Sequence, residues 1–430
     1  MAAIALISVG SRGDLEPYLV LLEALQQRGH SVTLIGSTNF AQASEQAGIP
    51  FHPVPSDIRE LMESELGVQL MEGKSVQVLS NEQRRQWLEA AWPVVQQCDL
   101  LLLPTLALWG YHLAEAAGCP FAMLCPFPVV ATGDYPFVRF PKPANSSRSM
   151  RFRWLSRRLN KLSYTLVRLL SWRTEANVIQ AVRSELLGLN KLPWAGIMAR
   201  RCEPSHLRDP LVLNLYSPHV LPPASDWPQR VLVSGYCLRE TQNSSRYQPP
   251  AALEAFLAAG EAPFYAGFGS MVPRDPERIG RLLVQAAQQA GQRLLLYPGW
   301  GKVMPSGSLP ETVHLLEECP HRWLFPQLRG AVHHGGAGTT GTTLACGIPS
   351  TVVAFFMDQP AWGRTLEQLG VSPATHQLLT LSADALAASL RELAHNPIYT
   401  ARAQVLRDQI AGEDGVGNAV AALEAVIAKV

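Results

Sequence analysis

Apolar positions in the first fifty residues switch between two periods. Residues 3–9 form a short apolar run, and Leu15, Leu19, Leu22 and Leu25 then recur at helical spacing up to Gly29. A strand followed by a helix is the expected result. Residues 31–35 read as the next strand and 39–47 as the next helix, stopped by Gly48. Strand, helix, strand at this spacing implies parallel strands joined by right-handed crossovers. Residues 99–125 repeat the theme, with a strand over 100–103, a helix over 112–117, Gly118, and a strand over 121–124.

The pattern changes between 126 and 230, where Pro and Arg are frequent and the periods less regular. A second α/β series begins near Val231: strands over 264–268, 294–297, 331–334 and 351–356, and helices over 278–290 and 361–369. The last fifty residues are Ala-rich and helical. Asp226-Trp227-Pro228 marks the expected linker. The fold class is therefore α/β, with a first doubly wound unit over 1–228, a second over 229–405, and a helical segment over 406–430 able to pack back on the first. Ligands of such sheets sit outside the carboxyl ends of the strands, so two facing units bind between them.

Composition narrows the class. The chain has 430 residues, a formal charge of +1, 47% hydrophobic and 17% charged residues. That is a globular balance without the global basic excess of a nucleic-acid binder. The seven cysteines include no Cys-x-x-Cys pair, which suits free thiols in a reducing compartment rather than structural zinc. Met1–Val9 carries no basic residue ahead of its apolar stretch, and no apolar run approaches the ~20 residues that span a bilayer. A cytoplasmic location follows as the expectation.

The chemistry concentrates in strand-to-helix turns. In 333–340 (His-His-Gly-Gly-Ala-Gly-Thr-Thr) a strand runs into a helix through glycines, so backbone can approach an anion and helix N–H groups can face it. His334 and the hydroxyls of Thr339 and Thr340 can add donors, and a diphosphate is the ligand this predicts. Asp358 and Gln359, after the following strand, suit two vicinal hydroxyls, although Asp358 with Pro360 also reads as a helix cap. Asp14, in the turn Gly10-Ser11-Arg12-Gly13-Asp14, reads either as a general base facing a cleft or as an N-cap. Ser11 and Arg12 can assist phosphates or lie in solvent. Ser270, in Phe268-Gly269-Ser270-Met271, reads as a phosphate contact or a turn serine.

Five motifs occur in order: 10–14, 268–271, 320–326 (Pro-His-Arg-Trp-Leu-Phe-Pro), 333–340 and 355–360. Together they resemble the sterol-glucosyltransferase-like branch of the GT-B nucleotide-sugar glycosyltransferases, related to antibiotic-aglycone, carotenoid and rhamnolipid glycosyltransferases. The resemblance is dense over 264–374 and thin over 52–200. It implies two facing Rossmann-like domains with a deep cleft. By position it implies that His334, Gly336, Gly338 and Thr339 hold the donor diphosphate, that Asp358 and Gln359 hold sugar hydroxyls, that Trp323 and Leu324 lie at the nucleotide base, and that Asp14 is the catalytic base. Arg322 and Glu16 stand where this branch commonly has Asp and Gln. The implied reaction is an inverting single displacement that transfers a hexose, glucose from UDP-glucose, to a hydroxyl of a lipophilic acceptor such as a sterol or other lipid. Neither metal nor other cofactor is implied, the nucleotide sugar being a co-substrate, and there is no Asp-x-Asp motif.

Alternatives remain within and beyond this chemistry. A TDP- or UDP-sugar with a polyketide, carotenoid or rhamnolipid-type acceptor fits the same motifs. A nucleotide-sugar epimerase would want further acid and base groups in the cleft and leaves the Gly13-Asp14 loop unexplained, and a silent nucleotide-sugar binder fits less well given Asp14, His334, Asp358 and Gln359 together. Residues 148–173 hold eight basic and no acidic residues interleaved with leucines. They read either as a helix pair with solvated arginines or as an amphipathic helix on an anionic membrane. His112 is a candidate acceptor-side group, and Trp87, Trp92, Trp109 and Trp154 are candidates for an apolar pocket or the core.

Overall fold

A computed structural model of the chain describes residues 1–10, 12–74, 79–138, 150–192, 210–239 and 247–429. Thirteen strands among these residues form two parallel sheets. The first contains β1 (Ala3–Ser8), β2 (Ser31–Ser37), β3 (Phe51–Val54), β4 (Leu100–Pro104), β5 (Phe121–Cys125), β6 (Leu211–Asn214) and β7 (Val231–Val233), in the spatial order β3-β2-β1-β4-β5-β6-β7. The second contains β8 (Phe264–Gly267), β9 (Leu294–Tyr297), β10 (Val313–Leu315), β11 (Gly330–His333), β12 (Ser350–Ala354) and β13 (Thr375–Gln377), in the order β10-β9-β8-β11-β12-β13. In both sheets the strand order reverses beside the first strand (β1 and β8), and ligands bind at such points.

The strands are near-continuous apolar runs because helices cover both faces. Leu100 to Leu103 in β4 and Leu294 to Leu296 in β9 are all buried. Helix Pro276–Gln289 buries Ile279, Leu282, Leu283 and Ala286 on one face and starts with Asp275 accepting from Arg278 N at 2.8 Å, an N-cap reinforced by Pro in the first turn.

Three boundaries differ from the sequence expectation. Val231–Val233, read as the start of the second series, is the last strand of the first sheet, paired with β6 in the register Leu213↔Leu232. Three apolar residues carry no mark of which sheet they will join. Asp226-Trp227-Pro228 is no free linker: Asp226 accepts from Gly133 N at 3.0 Å and pairs with Lys161 at 2.8 Å, and Trp227 Nε1 donates to Val130 O. Residue 405 lies inside the helix Pro397–Ala411. The next helix, Gly415–Ile427, packs Ala419, Val420 and Leu423 with Leu15, Leu19 and Leu22 of the helix Arg12–Gln27.

The units also meet through apolar side chains. Ile58, Met62 and Met71 of the first unit share one cluster with Phe268, Met271 and Ile279 of the second. Nearby, Arg274 bridges Glu65 and Glu72, an exposed network that adds little to stability. Residues 150–185 form one helix of 36 residues rather than a helix pair. No described helix is long and apolar enough to cross a membrane.

A buried polar cluster braces the long helix against the first unit. Arg183 Nη1 donates to His112 Nδ1 at 2.9 Å and Arg183 Nη2 donates to Glu115 Oε1 at 3.0 Å, with the Arg183 side chain 3% exposed. His112 is thus held as a structural acceptor. Removing one partner of such a buried ion pair leaves an uncompensated charge. Arg183→Met is expected to destabilise the fold by about 3–5 kcal/mol, read as a shifted denaturant midpoint.

Burial also holds three histidines neutral: His112 at about 4, His333 at about 3 and His334 at about 4. Between the ordinary histidine value of 6.5 and these values, the unfolded chain binds protons that the folded chain does not. Folding stability is therefore full above that ordinary value and falls as pH drops through the window. Denaturant midpoints measured across the window check this, and a flat profile would contradict it.

Candidate active site

The carboxyl ends of β1, β8, β11 and β12 open into one cleft of about 2060 Å³ between the two units. Each turn there is shaped by a residue that needs unusual backbone. Gly335, at φ +85°, would place a Cβ within 2.7 Å of Val352 Cγ1 and 2.9 Å of Gln359 O, so only glycine fits. His333 is wholly buried and pins this turn. Its Nδ1 accepts from Gly335 N at 3.1 Å, which leaves Nε2–H to donate to Ser350 Oγ at 3.1 Å.

The helix Ala337–Ala345 then starts at Gly336, whose position as N-cap supplies no side-chain acceptor. Its first N–H groups therefore lack the usual cap and face the cleft, the arrangement that binds anions. Gly336, Ala337, Gly338 and Thr339 all line the cleft. The His334 ring lies over Gly336: a Cβ there would meet His334 Nε2 at 2.4 Å. His334 Nδ1 is buried and has no hydrogen-bond partner. Burial, with a smaller contribution from His321, lowers His334 to about 4, so a neutral imidazole sits at the cradle. Thr340 differs from the sequence expectation. It is fully buried and does not line the cleft, because helical geometry turns it away from the side Thr339 presents.

Asp14 stands across the cleft, in the first turn of the helix Arg12–Gln27. Gly10, at φ +138°, makes room for it: a Cβ there would meet Asp14 Oδ2 at 2.7 Å. The two turns nearly touch, since a Cβ on Gly338 would lie 3.1 Å from Gly13 O. Asp358 also senses the Asp14 charge. Burial first, and then the Asp14 charge, pushes Asp358 up to about 7. Asp358 makes no cap hydrogen bond from its side chain; it accepts from Trp362 Nε1 at 2.9 Å. Met357, immediately before it, has φ +57°, a conformation that costs a non-glycine residue energy and aims the turn at the cleft.

The remaining sequence candidates fall into different places. Ser270 lines the cleft at the end of β8. Gln359 borders it but is 4% exposed, and its Oε1 accepts from Phe355 N at 2.8 Å and Phe356 N at 3.2 Å. Its amide therefore holds the end of β12. Leu324 is fully buried with Tyr265 and Phe325 and presents no side chain to a nucleotide. Trp323 packs edge-on against Tyr247 at 5.0 Å, and Tyr247, His321 and Arg322 form the cleft wall there. A four-residue helix rotates 322–324 so that the neighbours of the expected pair, not Leu324, face the cavity. Ser11 lies outside the described residues, as does the side chain of Arg12.

Two features were not foreseen. His321 stacks on Phe325 at 4.5 Å and lines the cleft beside His334. The motif 320–326 contained it, but nothing in its spacing marked which member would face inward. The first unit also brings Phe127, Phe137, Tyr164 and Trp172 to the cleft, beside Trp109, which the sequence offers as a pocket candidate. Trp87 is instead core, and Trp154 is exposed.

Comparison with known proteins agrees with this arrangement. Residues 4–135 match the Glycosyltransferase family 28 N-terminal domain, and residues 301–426 match the Erythromycin biosynthesis protein CIII-like C-terminal domain. Sterol 3-beta-glucosyltransferase UGT80B1 of Arabidopsis thaliana is 33% identical over 97% of this chain and 67% of its own length. A Sterol 3-beta-glucosyltransferase of Emericella nidulans is 32% identical over 98% of this chain but only 30% of its own. The chain thus spans about two thirds of the plant relative and less than a third of the fungal one. Among solved structures, the glycotransferase of kitacinnamycin superposes with a TM-score of 0.67 at 20% identity, covering 99% of both chains. Glycosyltransferase VinC in complex with dTDP gives 0.62 at 18% identity over 100% of both. These structures share the two-sheet GT-B architecture.

Proposed function

This chain belongs to the sterol-glucosyltransferase-like family of GT-B glycosyltransferases, and from that premise we propose that it moves glucose from UDP-glucose to a hydroxyl of a sterol or similar lipid. The observation that carries the proposal is the meeting of the Asp14 turn with the uncapped N-terminus of the helix Ala337–Ala345 across one cleft. A base and an anion cradle are what an in-line displacement at an anomeric carbon needs on its two sides.

In this mechanism Asp14 takes the proton of the acceptor hydroxyl as its oxygen attacks the anomeric carbon. The bond to the diphosphate breaks, and the charge growing on that oxygen is met by the helix N–H groups, Thr339 and His334. Asp358 accepts from sugar hydroxyls, and Ser270 contributes a hydroxyl near the phosphates. One displacement inverts the anomeric configuration. Charge neutralisation by the helix terminus makes a divalent metal unnecessary. The apolar wall of Trp109, Phe127 and Phe137 suits a lipophilic acceptor, and such an acceptor implies peripheral contact with a membrane.

Calorimetry tests the proposal directly. UDP is expected to bind the purified protein without added metal and more tightly than TDP or ADP. UDP-glucose is expected to release UDP on addition of a sterol. No heat with any nucleoside diphosphate would overturn the proposal, and release of TDP from a TDP-sugar alone would change the donor.

A further inference from the structure

The helix Asn81–Val95 packs beside the long helix Met150–Glu185 in the first unit. Two buried arginines hold the long helix to its surroundings, and their pairings are built differently. Arg183 makes the tight one: Nη2 donates to Glu115 Oε1 at 3.0 Å and Nη1 to His112 Nδ1 at 2.9 Å. Arg84 is also buried, at 7% exposed, yet its guanidinium reaches Glu175 Oε1 at 3.5 Å and Asn81 Oδ1 at 3.4 Å. Charge-assisted hydrogen bonds run at about 2.7–2.9 Å, so a cation with several N–H donors is left underfilled. Burial outweighs the pairing for both partners: it lowers Arg84 and raises Glu175 against the opposing charge of the other. Arg183 does not line the cleft. Arg84 and Glu175 both do, together with Leu79, Trp109 and Ile179 of one apolar cluster.

We propose that Arg84 and Glu175 form an acceptor subsite for a second hydroxyl, so that the preferred acceptor is a lipophilic diol rather than a simple alcohol. The pair selects the group by its chemistry. A hydroxyl accepts from a guanidinium N–H and donates to a carboxylate at once. An anion would meet Glu175 and a cation would meet Arg84, while a carbonyl oxygen can only accept and leaves the carboxylate underfilled. A site with buried polar groups aimed at a substrate hydroxyl discriminates strongly against the analogue that lacks it, because those groups are then left short of partners. A brace between the two helices is the other use of such a pair, and a brace would treat all acceptors alike. This subsite rests on the lipophilic acceptor proposed above and adds to it the second oxygen.

The test presents the full chain with cholesterol and with derivatives that carry a second hydroxyl at the start, middle or end of the side chain, each delivered from cyclodextrin. Binding is followed by intrinsic fluorescence, since Trp109 and Trp172 line the cleft, and transfer by kcat/KM with UDP-glucose. The wild-type protein is expected to favour at least one derivative over cholesterol on the order of tenfold or more in both readouts. The double variant Arg84→Met/Glu175→Leu leaves no charge uncompensated and is expected to abolish that preference. Should it fail to fold, Glu175→Ala removes the accepting half of the pair and is expected to weaken the preference. Equal binding of cholesterol and every derivative by the wild type, with transfer intact, would overturn the subsite and leave the acceptor class standing. A preference that the variants retain would also overturn it, by placing the second hydroxyl elsewhere. Where sterols bind without transfer, the binding ratios decide. If no sterol binds or is glycosylated, the acceptor class fails and the subsite with it.

Discussion

Asp14→Asn is expected to lower glycosyl transfer by about 10²–10⁴-fold while leaving UDP binding unchanged. The substitution keeps the size of the side chain and its fit against Gly10, where a Cβ would come within 2.7 Å of Asp14 Oδ2. It removes the capacity to take a proton, together with the negative charge that helps to raise Asp358. A carboxylate in the first turn of a helix also favours the helix dipole, worth about 0.3–1 kcal/mol. The two roles separate in the readouts. A base gives a collapse of kcat with an unchanged UDP affinity and nearly unchanged stability. A dipole partner gives a small loss of thermal stability and normal transfer, which would remove Asp14 from the chemistry.

His334→Ala is expected to cost about 10²–10³-fold in kcat, the usual penalty for losing one donor to a developing oxyanion. The reason is local. His334 lies over Gly336 at the mouth of the uncapped helix, and its Nδ1 has no hydrogen-bond partner. Burial keeps the ring neutral down to about 4, so it acts as a neutral donor. The ratio of wild-type to variant rates should stay level across about pH 6–8. A ratio that grows on acidification would mean a protonated imidazolium instead. Gly336→Ala is a companion test, because its Cβ would displace the same ring without removing it, and a loss of kcat is expected there too. Normal kinetics in both variants would place the diphosphate elsewhere.

Much of the candidate site was legible because its elements are local. The turns at 10–14, 268–271, 333–340 and 355–360 each join a strand to a helix, and the glycines within them mark where backbone can approach a ligand. What could not be read was the direction in which individual side chains face. Thr340 and Thr339 are adjacent, yet one is core and the other lines the cleft. Leu324 went inward and left His321 and Arg322 on the wall. Gln359 spends its carbonyl on two backbone N–H groups at the end of β12, a demand that exists only once that strand end is buried.

By itself, the amino-acid sequence determined two parallel α/β units and the strand-to-helix turns that carry the chemistry, since hydrophobic period and glycine placement act over a few residues. The tertiary structure alone decided three things. It gave Val231–Val233 to the first sheet by pairing it with β6. It chose Ala419 and Leu423 as the side chains by which the helix Gly415–Ile427, already read as able to pack back, meets the first unit. It brought Asp14 opposite an anion cradle more than three hundred residues away in the chain. Each depends on contacts between distant residues, and a pattern read over a few neighbouring positions contains no term for these.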